Sequence, residues 1–389
     1  MRVLVTSARM PFAVDQIRKL GEGGHTVVAA DTFSAAPGLH SRFVSTREVV
    51  PPPATQPREF AESVRALVDK HGIDLVLPQF EEVFALARHR DLLDGHADLF
   101  SSDFSVLARL HDKVSFAKTM RELGLHVAES VTATSRKELW EAIDRFGDYF
   151  ARAAFSRGGV ELLTNCGPLA GDVDPDSVEP TESNPFVVQP FIEGTDVCSM
   201  SVVHHGRVAA HSTYEHPLTI EHAGGIEFLS IDAPETLEAS RAICEAMDYN
   251  GQVSFDFLRD SGGTYWLVEC NIRPTAGSFV LTPEEFCSAL IGPAEATVVA
   301  PAGRYHQISV ALVRDMVHEW RDIPRDAHDL FSAPDIYAED QDPRPLLYTF
   351  LSLGHVHRYR KQLDTGSHSR KDIMAAQFFD IAWNGEPIP

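Results

Sequence analysis

Along the first hundred residues, short apolar runs alternate with amphipathic stretches. Arg2–Thr6 and His25–Ala30 read as buried strands, the second closed by Asp31, and Phe12–Leu20 between them reads as a helix ending at Gly21. Phe60–His71 has apolar residues at helical spacing and stops at Gly72. Asp74–Pro78 is a further strand, and a helix starts near Glu81-Glu82. This alternation predicts parallel βαβ units with helices on both faces of the sheet. Leu107–Leu123 is helical up to Gly124, with Asp112 placed to cap a new turn beginning at Lys113. A strand over Val127–Val131 and a helix over Ser135–Phe146 follow. Tyr149-Phe-Ala-Arg152 is then a strand leading into the glycine-containing loop Ser156-Arg157-Gly158-Gly159. The proline-interrupted acidic stretch 168–184 reads as a solvated linker. Beyond it lie a strand over Phe186–Ile192, a hairpin of Val197–His204 with Val208–Ser212 about His205-Gly206, and a helix over Leu237–Met247.

The most informative pattern is Val253–Pro274, two strands joined at Gly262-Gly263. With Ser261 and Thr264 closing the turn, Asp256 faces Glu269 and Ser254 faces Asn271. Side chains alternate faces along a strand, so Asp256, Glu269 and Asn271 share one face, while Val253, Phe255, Phe257 and Val268 share the other. Carboxylates directly opposite one another repel. A divalent cation removes the objection, and two carboxylates with an amide oxygen suit Mg²⁺. Arg273 continues along the same face. A solvated face with scattered acids explains this segregation poorly.

Composition narrows the function. The chain has 389 residues, 44% hydrophobic and 23% charged, enough for two or three domains with ordinary soluble cores. Its net charge of −22 argues against a nucleic-acid partner. The five cysteines, Cys166, Cys198, Cys244, Cys270 and Cys287, have no metal or disulfide spacing. No run reaches the ~18 apolar residues of a membrane span. Val3-Leu4-Val5 is too short for a signal segment, so a cytoplasmic protein is expected.

Other candidate chemistry is local. A dinucleotide site with Asp31 on a ribose is rejected, because Ser7–Phe12 after the first strand contains no glycine. Lys113 at a helix start opposes the helix dipole, which points to an anionic partner. Ser156–Gly159 lets backbone N–H groups approach phosphate oxygens, with Arg152 and Arg157 nearby; an ordinary turn with two surface arginines is the competing reading. The histidines at 204, 205, 211, 216 and 222 are expected in turns or on the surface, without zinc. His222-Ala-Gly-Gly225 is expected to be flexible, close to the cleft. From Pro301 the composition changes. Ile308–Val313 reads as a strand, and Arg358–Lys361 with Arg370-Lys371 forms a basic patch. Solvated surface is the first reading of that patch; a carboxylate or phosphate subsite or a homodimer contact is the functional alternative.

Taken in order, Asp112-Lys113, the Arg152 strand with its glycine loop, Val187-Val-Gln-Pro-Phe-Ile-Glu-Gly-Thr-Asp196, and Asp256 with Glu269-Cys-Asn271-Ile-Arg273 resemble the ATP-grasp superfamily. The likeness is greatest to its carboxylate–amine ligases and carbamoyl-phosphate-synthase-like members, and it spans roughly residues 1–295. It implies an α/β and α+β molecule. A Rossmann-like βαβ domain (1–110) would precede a linker helix and lid subdomain (111–186), an antiparallel-sheet ATP and Mg domain (187–300) and a C-terminal extension (301–389). Position by position, it implies ATP phosphate contacts from Lys113, Arg152 and the lid loop Ser156, Arg157, Gly158 and Gly159. Adenine would be held by the hinge with Gln189, Phe191 and Ile192, and ribose by Asp196. Mg²⁺ would bind Asp256, Glu269 and Asn271, with Arg273 and Arg152 at the reacting phosphoryl group. Arg152 stands where many members carry lysine, and Gln189 where glutamate is usual.

The implied reaction activates a carboxylate as an acyl phosphate and couples it to an amine, with ADP and phosphate released. Its partners are a small-molecule carboxylate and amine, with amino acids among the candidates. The alternatives are an enzyme of the carboxyphosphate type and a nucleotide-binding protein without turnover, the latter motivated by Arg152.

Overall fold

The computed structural model describes residues 1–156, 162–220, 224–292, 296–308, 334–363 and 377–389. Arg157, Gly158, Gly159, His222, nearly all of the strand expected at Ile308–Val313, and Arg370-Lys371 therefore lie outside the described residues.

The N-terminal alternation folds as expected. Strands β1 (Arg2–Val5), β2 (Thr26–Asp31), β3 (Val44–Val49), β4 (Leu75–Leu77) and β5 (Asp98–Leu99) form a parallel sheet in the order β3-β2-β1-β4-β5. The central strands are buried on both faces, as a parallel sheet covered by helices requires. Helix α1 (Pro11–Glu22) does not stop at Gly21 as its sequence predicts. Glycine is needed there for space, since a Cβ would lie 2.3 Å from the Phe43 ring. Helix α2 (Pro57–His71) does end on a left-handed glycine, Gly72, at φ 61°. Asp31 is occupied by Arg9, whose backbone N–H donates to its carboxylate at 2.8 Å. The strand order reverses between β1 and β4, so the loops after these two strands open towards the rest of the molecule.

After α3 (Val83–Arg88), the helical stretch 104–122 breaks into α4 (Phe104–His111) and α5 (Lys113–Glu122). Asp112 makes the break and caps α5, accepting from the N–H groups of Val114 (3.1 Å) and Ser115 (3.2 Å). An antiparallel sheet follows, in the order β6-β9-β7-β8: β6 (Val131–Ala133), β7 (Tyr149–Ala153), β8 (Leu162–Thr164) and β9 (Phe186–Pro190), backed by α6 (Arg136–Phe146). The strand expected at Val127–Val131 starts at Val131, and Val127 makes only an isolated bridge to Leu267.

The central antiparallel sheet contains β10 (Thr195–His204) and β11 (Arg207–Glu215), whose turn places His205 and Gly206 at φ 43° and 77°. A small hairpin pairs β12 (Thr219–Ile220) with β13 (Gly224–Gly225). The sheet continues with β14 (Glu227–Ser230), β15 (Gly251–Arg259), β16 (Tyr265–Asn271), β17 (Val298–Val299) and β18 (Tyr305–Gln307). Its order is β16-β15-β10-β11-β14-β18, with β17 beside β11. Helices α7 (Pro234–Ala246) and α8 (Pro283–Ile291) pack against it. Helix α9 (Arg344–Leu363) sets His355 against Phe33, just past β2 of the N-terminal sheet. The final residues return to that sheet. Asp380 binds Arg9 at 2.7 Å, and the Trp383 N–H donates to Glu81 at 2.8 Å. Among the described residues no helix is long and apolar enough to cross a membrane.

The histidines correct one expectation. His205 does sit in a turn, but His211 is fully buried. Its ring meets the hydroxyls of Ser201 (2.9 Å), Thr213 (3.1 Å) and Thr236 (3.1 Å). It occupies an interior hydroxyl cage because β11 has α7 against it and offers that face no solvent. Burial drives its pKa down, to about 3. Unfolded, the ring gains its proton near 6.5; folded, it stays neutral, so stability falls as pH drops below about 6.5. His211→Gln should flatten that acid limb, as read from urea midpoints between pH 7 and pH 4; an unchanged slope would assign the limb to other groups.

Candidate active site

The β15–β16 hairpin sets the geometry. Its turn is one residue longer than the sequence suggests. Asp260 and Thr264 close a loop over Ser261–Gly263, with Gly263 at φ 84°. The Asp260 side chain fixes it by accepting from the N–H groups of Gly262 and Thr264 and from Trp266 Nε1. Arg259, Leu258 and Phe257 then face Tyr265, Trp266 and Leu267. Val268 is an extra residue, a β-bulge, and it restores the anticipated register: Asp256 faces Glu269 and Ser254 faces Asn271. The bulge has a second effect. It turns the Val268 carbonyl out to accept from Arg152 Nη2 at 2.6 Å.

Across the sheet Asp256 lies beside Cys198, and Cys198 beside Tyr214, so Tyr214, Cys198, Asp256 and Glu269 form one row. Asp196, two residues before Cys198, projects from the same face nearer the sheet end. Gln189 pairs with Phe150 in the β7–β9 ladder. Phe191, whose N–H donates to Asp148 at 3.0 Å, and Ile192 continue the crossing from the smaller sheet into β10.

Three cations from three elements reach this row. Arg152 Nη1, from β7, is 2.7 Å from Glu269 Oε2. Lys113 Nζ, from the first turn of α5, is 3.8 Å from the same oxygen and also donates to the Ser156 carbonyl at 2.7 Å. The Ser156 hydroxyl in turn donates to Ala153. Arg273 donates through Nη2 to Asn271 Oδ1 at 3.0 Å, and its guanidinium lies over the Phe80 ring, 4.6 Å from the centroid. Asn271 Nδ2 donates to Asp256 Oδ2 at 3.1 Å. The structure thus gathers Lys113, Arg152, Ser156, Asp256, Glu269, Asn271 and Arg273 into one cluster, with Gln189, Phe191, Ile192 and Asp196 along the connection beside it.

Electrostatics separates the two facing acids. Burial, reinforced by the facing Glu269, pushes Asp256 well above the usual carboxylate range. Burial would raise Glu269 too, but Lys113 and Arg152 outweigh it and hold that carboxyl low. Burial likewise lowers the Arg273 pKa. In the absence of a cation, a proton shared by the pair therefore belongs to Asp256.

Among the described residues no group of three or more His, Cys, Asp or Glu side chains is arranged to hold a metal ion. A cation here would have two carboxylates and an amide, and would take its remaining oxygens from water or a ligand. Such a donor set fits a hard divalent cation that arrives with phosphate. Arg152 supports the anionic half of that fit: its Nε is buried and, among the described residues, has no hydrogen-bond partner.

Sequence reasoning missed the supports. Tyr214 donates to Thr275 (2.9 Å), Thr275 to Ser254 (3.0 Å), and Ser254 to the Arg273 carbonyl (3.0 Å). Ser254 was visible opposite Asn271, but the partners that give it a role come from another strand and a following loop. The contact of Glu81 with Trp383 also escaped notice, because it joins residues 302 positions apart.

No protein-family model matches the chain. Solved structures do match. N5-carboxyaminoimidazole synthetase from Staphylococcus aureus, complexed with ADP, superposes with a TM-score of 0.62 at 12% identity, covering 83% of this chain and 86% of that one. The biotin carboxylase domain dimer of the Hydrogenobacter thermophilus 2-oxoglutarate carboxylase, with MgADP and bicarbonate, gives 0.60 at 14% identity, over 78% of this chain and 73% of that one. Phosphoribosylamine–glycine ligase from Thermotoga maritima gives 0.57 at 15% identity, over 78% of each chain. The chain has the ATP-grasp fold that its motif order predicts.

Proposed function

We propose that this protein is an ADP-forming ligase, which activates a carboxylate with ATP and joins it to an amine. The carrying observation is that cations from α5, β7 and the end of β16 meet two facing carboxylates on one sheet face. A purely structural site has little reason to place Asp256 against Glu269 or to leave a buried arginine N–H without a partner among the described residues. The fold shared with structures crystallised with ADP and MgADP supports ATP and Mg²⁺ as the ligands.

In this reading Asp256, Glu269 and Asn271 would hold Mg²⁺, which offsets charge on the phosphates. Lys113, Arg152 and the loop after Ser156 would take the phosphate oxygens, the connection through Gln189, Phe191 and Ile192 the adenine, and Asp196 the ribose. The substrate carboxylate attacks the terminal phosphorus in line, ADP leaves, and Arg273 stabilises the transferred group. The amine then adds to the acyl carbon, phosphate departs, and a proton is released. No protein nucleophile is needed; positioning and electrostatics supply the rate.

A second reading, activation of bicarbonate as carboxyphosphate, is favoured by the likeness to a carboxyaminoimidazole synthetase and a biotin carboxylase domain. An ADP-release screen over carboxylate–amine pairs, with a bicarbonate arm and product masses, separates the two. Release that requires both an organic carboxylate and an amine, with loss of water in the product mass, supports ligation. Release that requires bicarbonate, with a gain of CO₂, supports the second reading.

A further inference from the structure

We infer that Arg152 and Arg273 are specificity-determining residues which make the site accept a divalent cation only together with a polyphosphate. The inference rests on the ATP-dependent reading above and goes beyond it. Each donor proposed for the cation already has an internal partner. Glu269 Oε2 accepts from Arg152 at 2.7 Å, Asn271 Oδ1 from Arg273 at 3.0 Å, and Asp256 Oδ2 from Asn271 at 3.1 Å. Arg152 has a second anchor in the carbonyl of Val268, the bulged residue.

Without a metal, Lys113 and Arg152 share Glu269 as their ion-pair partner, and Glu81 acts electrostatically on Arg273. A lone divalent cation would have to take Glu269 from Arg152, which then loses its carboxylate partner in a largely buried cluster, and the Asn271 oxygen from Arg273, which then loses a hydrogen bond. Stripping a buried cation of its partner is costly. A cation that arrives on a di- or triphosphate brings oxygens for both guanidiniums. Arg152 Nε, which has no partner among the described residues, provides a further donor for them. Release of the arginines and binding of the metal are then one event, and nucleotide and metal strengthen each other's binding reciprocally.

The test counts bound Mn²⁺ by electron paramagnetic resonance, without nucleotide and with saturating ADP. The wild-type protein should bind Mn²⁺ at least about tenfold more tightly with ADP. Arg152→Gln, and independently Arg273→Gln, should each tighten Mn²⁺ binding in the absence of ADP and shrink the gain that ADP brings. Melting curves confirm that each variant is folded, and either one suffices if the other is not. Equal Mn²⁺ affinity with and without ADP in the wild type overturns the inference, as does unchanged nucleotide-free affinity in the folded variants. Those results leave the ligase reading standing. A wild-type protein that binds neither ADP nor Mn²⁺ overturns both.

Discussion

Glu269→Gln is expected to cut ADP release by about a thousandfold while the far-ultraviolet dichroism stays unchanged. The substitution keeps the shape of the side chain and removes its charge, which in the proposed mechanism anchors the cation at the phosphates. Losing one such electrostatic contact in a transition state costs roughly 3–4 kcal/mol, or about 10²–10³ in rate, and a metal ligand belongs at the upper end. Glu269 also neutralises Arg152 and Lys113 in the resting protein. Its side chain is 25% exposed, so the lost ion pair is discounted from the cost of a fully buried one. A melting temperature lower by about 2–5 °C is expected. Activity within tenfold of wild type would remove Glu269 from the reaction.

Asp256→Asn should lose activity to a similar extent with the opposite effect on stability. Asp256 is buried and faces a carboxylate, which is why its pKa is raised. Below that raised pKa it folds as the neutral acid; as pH rises through it, ionisation is penalised in the native state more than in the unfolded one. Asparagine abolishes this penalty and keeps an oxygen for the Asn271 amide, which donates at 3.1 Å. At pH 8 without metal, the variant should be more stable than wild type by about 1 kcal/mol, read from urea midpoints. An acid retained for the fold alone would give the reverse, a less stable protein. Opposite stability shifts at Asp256 and Glu269, with a shared loss of activity, would mark a pair kept for what it binds.

Much of this was legible in the sequence because the signals are local and periodic. Strand–helix alternation gave the parallel sheet, and Asp112 ahead of Lys113 gave the start of α5. Two-residue alternation put Asp256, Glu269 and Asn271 on one face. The register itself was harder. Periodicity assigns faces but does not count residues around a turn, so the longer loop at Ser261–Gly263 and the bulge at Val268 were both invisible, and they cancel. Lys113 announced an anionic partner by opposing the helix dipole, and Glu269 is that partner at 3.8 Å. Contacts between distant segments left no trace. The Tyr214–Thr275–Ser254 relay, the hold of Asp380 on Arg9 and the approach of Trp383 to Glu81 depend on folding first. His211 was misplaced for a related reason: a histidine between small and hydroxyl residues looks like surface until the helix packed against its strand is known.

The central claim is that a carboxylate oxygen attacks the terminal phosphorus of ATP. Once the screen has identified a substrate pair, the carboxylate labelled with ¹⁸O tests this directly. Mass analysis of the released phosphate should find one ¹⁸O transferred per turnover, with ADP as the other product. Unlabelled phosphate, or AMP with pyrophosphate in place of ADP, would contradict the account.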